Sequence, residues 1–150
     1  MYKRQLYHHP ATRFVATFIG QPNMNLIPAT VIGTGAEGLT VDFHGGAKMT
    51  LPVDPASARK GDQVEVGVRP ENLHLGAGLA MRLRVLERLG GTAIAYGQMA
   101  DGLKICAALS GDTTVHEGEE IGLTFAPADA HVFDTEGRVM RRRQAPALAA

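Results

Sequence analysis

Few residues in this chain have the types and spacing to do chemistry. Gly33-Thr34-Gly35-Ala36-Glu37-Gly38 has the G-x-G-x-x-G spacing. A dinucleotide site needs a strand before this motif and a helix after it, so that a helix N-terminus meets the pyrophosphate. The next residues, Leu39-Thr40-Val41-Asp42-Phe43, alternate apolar and polar and read as a strand, so the glycines mark a hairpin connection. None of Lys48, Lys60 and Lys104 precedes a Ser or Thr in a G-K-[ST] setting, which argues against a P-loop. His8, His9, His44, His74, His116 and His131 show no H-x-x-x-H spacing and there is no C-x-x-C, so no metal site is expected. Ser57 and Ser110 lack a nucleophile-elbow context. Cys106 lies in the apolar run Ile105-Cys106-Ala107-Ala108-Leu109 and reads as a small core residue rather than a thiolate. No catalytic constellation emerges, and the chain by itself calls for no cofactor.

Composition narrows the partners. Of 150 residues, 15 are Lys or Arg and 15 are Asp or Glu, so the net charge is zero and nothing favours phosphate-driven nucleic-acid binding. Tyr2, Tyr7, Phe14 and Phe18 precede the β-like region, and Phe43, Tyr96, Phe125 and Phe133 are spread along it, which makes no base-stacking platform. The single cysteine fits a reducing compartment. No apolar run reaches the roughly 18 residues of a membrane span, and the start lacks an apolar signal stretch. A cytoplasmic protein without direct membrane insertion is expected.

The elements that must position any site come in two textures. Residues 10–19 read as a helix: Pro10 suits a first helical position, and Phe14, Val15, Phe18 and Ile19 share one face before Gly20 and Pro22 stop it. So short a helix needs a packing partner. From Met24 onward, strand-like runs alternate with Gly, Asp and Pro, at 25–32, 38–43, 48–53, 63–68, 81–89, 92–99, 104–109, 120–125 and near Val132. Residues 61–75 and 118–132 carry the same punctuation 57 apart: Gly61 with Gly118, Pro70 with Pro127, His74 with His131. Extended backwards without gaps, that offset superimposes Met24 on Met81, Leu26 on Leu83, Gly33 on Gly90 and Gly45 on Gly102. Shared Gly and Pro positions imply a shared chain path, because both mark backbone requirements. The expected fold is all-β: two tandem OB-like small barrels, packed together and preceded by one short α-helix. The expected organisation is residues 1–21 as the helical segment, 22–78 and 79–140 as the two lobes, and 141–150, with Arg141-Arg142-Arg143, as a solvated tail.

The most distinctive segment is Val68-Arg69-Pro70-Glu71-Asn72, where Arg69 and Glu71 flank a proline that closes a strand. It reads either as an exposed turn with a weak ion pair, worth about 0–1 kcal/mol, or as a contact surface between lobes or protomers.

Four separated motifs resemble one family in its own order. Residues 6–26, from Leu6-Tyr7-His8-His9-Pro10 through Gln21-Pro22-Asn23-Met24-Asn25-Leu26, resemble the junction in ATPase subunits of carbohydrate ABC importers, where the last ATPase helix leads into a regulatory domain. Gly67-Val68-Arg69-Pro70-Glu71 resembles that domain's G-[IV]-R-P-E motif. Leu89-Gly90 with Tyr96, and the ending Ala130-His131-Val132-Phe133-Asp134-Thr135-Glu136-Gly137, resemble its second half. By eye the maltose and glycerol-3-phosphate importers lie nearest. The resemblance implies tandem OB-like lobes of the TOBE type, with ATP and Mg bound only by the ATPase portion of the parent subunit. It implies the ATPase domain and a second copy of the subunit as partners, the permease as an indirect one, and signalling proteins as regulators. The location implied is the inner face of the cell membrane. On this reading Met24, Asn25, Arg69, Pro70 and Glu71 make contacts between lobes or subunits, and Phe14, Phe18 and Ile19 face the ATPase domain. Walker A, Walker B and signature motifs are absent, since Leu109-Ser110-Gly111 continues as Asp112-Thr113, and the chain looks like a detached C-terminal portion. The rival expectation is a stand-alone binder of a small ligand or oxyanion such as molybdate, cradled by free N–H groups of glycine-rich turns.

Overall fold

A computed structural model of the chain describes residues 24–43, 47–55 and 58–141. The helix expected over 10–19, with Phe14, Phe18 and Ile19, and the tail from 142 lie outside the described residues. Among the described residues the chain forms nine strands: β1 (Asn25–Gly35), β2 (Gly38–Phe43), β3 (Ala47–Leu51), β4 (Gln63–Val68), β5 (His74–Arg88), β6 (Thr92–Gln98), β7 (Lys104–Ser110), β8 (Glu120–Thr124) and β9 (His131–Phe133). Two short 3₁₀ turns, Pro70–Asn72 and Pro127–Asp129, follow β4 and β8. The strands make two antiparallel sheets, in the orders β3-β2-β1-β4-β9 and β7-β6-β5-β8, each curled into an OB-like barrel.

The alternation read from the sequence sets the faces. Leu39, Val41 and Phe43 are buried, whereas Thr40 and Asp42 point away from the core. The G-x-G-x-x-G stretch is a two-residue hairpin in which Gly35 pairs with Gly38. Gly38 has φ +132°, and a Cβ there would lie 2.0 Å from the Leu51 carbonyl oxygen. Backbone conformation and close approach both require glycine at this position.

The halves repeat in three dimensions with a changing offset. A register shift follows Val31 in β1 and Leu83 in β5. Val31 N–H donates to Asp62 O at 2.8 Å and its carbonyl accepts from Gly61 N–H at 2.7 Å. Leu83 does the same with Glu119 O at 2.9 Å and Gly118 N–H at 2.7 Å. Val31 and Leu83 are therefore counterparts 52 apart, while Gly61 and Gly118 are 57 apart. The gapless superposition of Met24 on Met81 and Leu26 on Leu83 is thus corrected. The second half carries a longer β5–β6 connection, and hairpin tips absorb insertions without breaking a ladder or the core.

The repeat also exchanges strands. Leu123 pairs with both Leu75 and Leu79, so β8 runs between the start of β5 and its main body. Val66 likewise pairs with both Ile27 and Val132. The strand that follows the first 3₁₀ turn thus completes the second sheet, and the strand that follows the second turn, β9, completes the first. Between Leu75 and Leu79, Gly76-Ala77-Gly78 crosses β8. A Cβ on Gly122 would lie 2.4 Å from Gly76 O, and one on Gly78 would lie 2.7 Å from Leu123 O. This crossing carries β5 back to His74, seven residues before the expected start at Met81.

One buried cluster spans both sheets, including Ile27, Val41, Val66, Met81, Leu83 and Leu123. Each such side chain contributes about 1.5–3 kcal/mol on full burial, so the two barrels fold as one body. Across the core Phe43 meets Phe125 edge to face at 6.1 Å and 81°.

Candidate functional site

The expected contact residues gather at the seam where β1 of the first sheet meets β7 of the second. Asn25 is 6% exposed. Its Nδ2 donates to Val68 O at 3.1 Å within its own sheet and to Cys106 O at 2.8 Å across the seam. Cys106 N–H donates to Asn25 Oδ1 at 2.8 Å. The carboxamide thus acts like a peptide group added to the edge strand β7, satisfying one donor and one acceptor at once. Met24, beside it, packs on Phe133. Met24 Sδ would come within 2.5 Å of a Cβ on Gly67, so the glycine of the G-V-R-P-E segment makes room for Met24.

Arg69 and Pro70 are buried as well, and Glu71 is exposed. Arg69 is 4% exposed. The 3₁₀ turn Pro70–Asn72 packs on β7, and its counterpart Pro127–Asp129 packs on β3 of the other sheet. Each turn thereby bridges the barrels, and the extended φ and ψ of Arg69 (−74°, 147°) aim the chain into that contact. Met24, Asn25, Arg69 and Pro70 lie inside the chain's own packing, with Glu71 alone of the five at the surface. His74 and His131 sit on the two exchanged strands, the first exposed and the second buried.

A groove of about 680 Å³ opens beside this seam, lined by Met24, Leu26, Glu65, Tyr96, Lys104 and Cys106 among others. Val85, Tyr96 and Cys106 form a row across β5, β6 and β7. Val85 and Tyr96 are exposed at 51% and 40%. Burial pushes the Cys106 thiol up from 9.0 to about 11. The Tyr96 hydroxyl is raised by desolvation first, then by Cys106 and by the Glu87 carboxylate, to which it donates at 3.4 Å. Neither group is primed as a nucleophile near neutral pH. An apolar floor with Glu65 and Lys104 at its rim suits contact with another surface. The sequence reading missed Tyr96, Glu65 and Lys104 as neighbours of Asn25. Cys106 was legible only as an apolar position, and its tie to Asn25 spans 81 residues.

The fold and seam define a tandem OB-like domain of the TOBE type. The family described as MalK OB fold domain matches residues 20–73, and the TOBE domain family matches residues 66–133. The chain belongs to this family of domains, carried by ATP-binding subunits of sugar-type ABC importers. It is 34% identical over 142 residues to the alpha-glucoside transport ATP-binding protein AglK of Rhizobium meliloti (strain 1021), covering 91% of this chain and 39% of that protein. It is 36% identical over 157 aligned residues to the sn-glycerol-3-phosphate import ATP-binding protein UgpC of Chromohalobacter salexigens, covering 97% and 40%. Against the maltose/maltodextrin import ATP-binding protein MalK of Vibrio cholerae it is 29% identical, covering 92% and 38%. The chain thus spans about two fifths of these relatives' lengths. Among solved structures, the cytoplasmic molybdate-binding protein ModG with molybdate bound matches with a TM-score of 0.59 at 17% identity, covering 72% of this chain and 94% of that one. That likeness concerns the fold alone. Among the described residues no helix is long and apolar enough to cross a membrane.

Proposed function

We propose that this chain is the regulatory and dimerisation portion of an ATP-binding subunit of a sugar or glycerol-phosphate type ABC importer, and that it is non-catalytic by itself. The observation that carries this reading is the alignment of nine tenths or more of the chain, with both family matches in consecutive order, to subunits named for such import. A body held together by its own seam, with polar chemistry spent on joining its barrels, fits a domain that transmits contact. Phe14, Phe18 and Ile19 are assigned to the ATPase-domain contact, and Glu71 with the Tyr96 groove to contacts with a second copy or a signalling protein. The permease is reached indirectly, and the complex sits in the cytoplasm at the inner face of the membrane.

The test mixes the pure chain with the ATPase portion of a related subunit. Binding that weakens on Phe14→Ser with Phe18→Ser, together with background ATP hydrolysis by the chain alone, supports the reading. Unchanged binding in that variant, or turnover above background, sinks it. Calorimetry with molybdate tests the rival oxyanion reading, which the ModG fold alone suggests; micromolar binding would favour it.

A further inference from the structure

The outer face of the second sheet carries a row of hydrogen-bond donors at the Tyr96 groove. Gln98 of β6 pairs with Lys104 of β7. Arg84 is the extra residue at the register shift between Leu83 and Val85 in β5. A bulge re-aims a side chain, and this one brings Arg84 Nη2 to donate to Gln98 Oε1 at 3.4 Å. A guanidinium only donates, so it holds the amide oxygen on its own side and turns the Gln98 NH2 away from itself. Neighbouring strands lie about 4.8 Å apart, so the long Arg84 and Lys104 side chains can close on one group above Gln98. Arg84 and Lys104 are exposed, Gln98 is half-buried, and all three line the groove of about 680 Å³.

Beside the donors lies a surface suited to an uncharged body. Tyr96 stands two residues before Gln98 on the same face of β6, and its hydroxyl is held by Glu87 at 3.4 Å. Leu26 and Pro28 of β1 line the groove from the first sheet, where Glu65 of β4 pairs with Pro28. A carboxylate on that wall repels a second anionic group and accepts protons from hydroxyls. Small-molecule sites of about 300–1,000 Å³ combine an apolar and aromatic lining with a few placed polar groups, and this groove has both that size and that mixture.

We propose that the groove binds a small hydroxylated phosphate monoester, a sugar phosphate, with its phosphate on Arg84, Gln98 and Lys104 and its ring against Tyr96. A phosphate monoester carries about −1.5 to −2 charges at pH 7 and presents three strong acceptor oxygens. The charge complements one guanidinium and one ammonium, and the oxygens complement three donor side chains. The binding goes beyond the assignment to a transporter subunit and stands without it. A ligand seated there competes with the protein contact assigned to the same groove.

Calorimetry of the whole chain with glucose 6-phosphate, inorganic phosphate and glucose tests it. Glucose 6-phosphate binds about tenfold or more tightly than either part alone, because different residues hold head and body. Arg84→Gln with Lys104→Gln weakens that binding by about tenfold or more. Tyr96→Ala weakens it by about fivefold and leaves inorganic phosphate unaffected. Raising the salt weakens it as well, since the cations are exposed. The proposal is overturned if millimolar glucose 6-phosphate does not bind, if inorganic phosphate or glucose binds as tightly, or if the double variant binds as the parent does. Amide shifts of the parent chain on titration with glucose 6-phosphate decide the matter should a variant fail to fold. They must centre on Arg84, Tyr96, Gln98 and Lys104, and a response centred elsewhere overturns the site.

Discussion

Asn25 satisfies three backbone groups with one side chain, two of them 81 residues away in sequence. Replacing it with Leu keeps the volume and leaves Cys106 N–H, Cys106 O and Val68 O short of a partner. A loss of about 2–4 kcal/mol is expected, read as a shifted urea midpoint with an unchanged slope. The Cys106 thiol gives a pH signature. It titrates at 9.0 when unfolded and at about 11 when folded, because burial disfavours the thiolate. The unfolded chain therefore releases its proton first, and stability falls as pH rises through that window. Tyr96, raised in the same direction, adds to the fall. Urea midpoints at about pH 8 and about pH 10.5 should drop less for Cys106→Ala than for the parent. An equal drop would place the effect elsewhere.

At the scale of elements, two glycines of different kinds can be separated. Gly61 has φ +99° and open space within 4 Å of where a Cβ would stand, so Gly61→Ala meets backbone strain alone, about 1–2 kcal/mol. Gly122 lies under the crossing segment with Gly76 O 2.4 Å from its Cβ position. Gly122→Ala must displace backbone and is expected to cost more than about 3 kcal/mol. Thermal unfolding of the two variants side by side checks the ranking, and a similar shift in both would mean that the crossing yields easily. The crossing also explains the missed start of β5. Gly76 and Gly78 are turn signals in isolation, and here they serve close passage of one backbone over another.

At the scale of the molecule, the exchange of strands makes the barrels mutually dependent. Each sheet is completed by a segment from the far side of a 3₁₀ turn, and one apolar cluster runs through both. Calorimetry of the intact chain should show a single transition. A chain cut between Leu73 and His74 should yield halves that do not fold alone and that recover the transition when mixed. Two separable transitions in the intact chain would refute this coupling.

Strand positions were largely legible because they depend on local patterns. Period-two alternation and Gly or Pro punctuation placed β2 and β4 at their observed bounds and the others within a few residues at most ends, β5 excepted. The Pro70 and Pro127 turns fell at equivalent places for the same reason, since a fixed φ and a missing donor act where they stand. The five residues expected to make contacts were legible as distinctive types, and the burial of four of them inside the chain's own packing was not. That Asn25 reaches β7 and that β9 closes the first sheet depend on contacts between residues far apart in sequence. No local pattern records such contacts, because the free energy that selects them arises only when the two sheets bury their faces together.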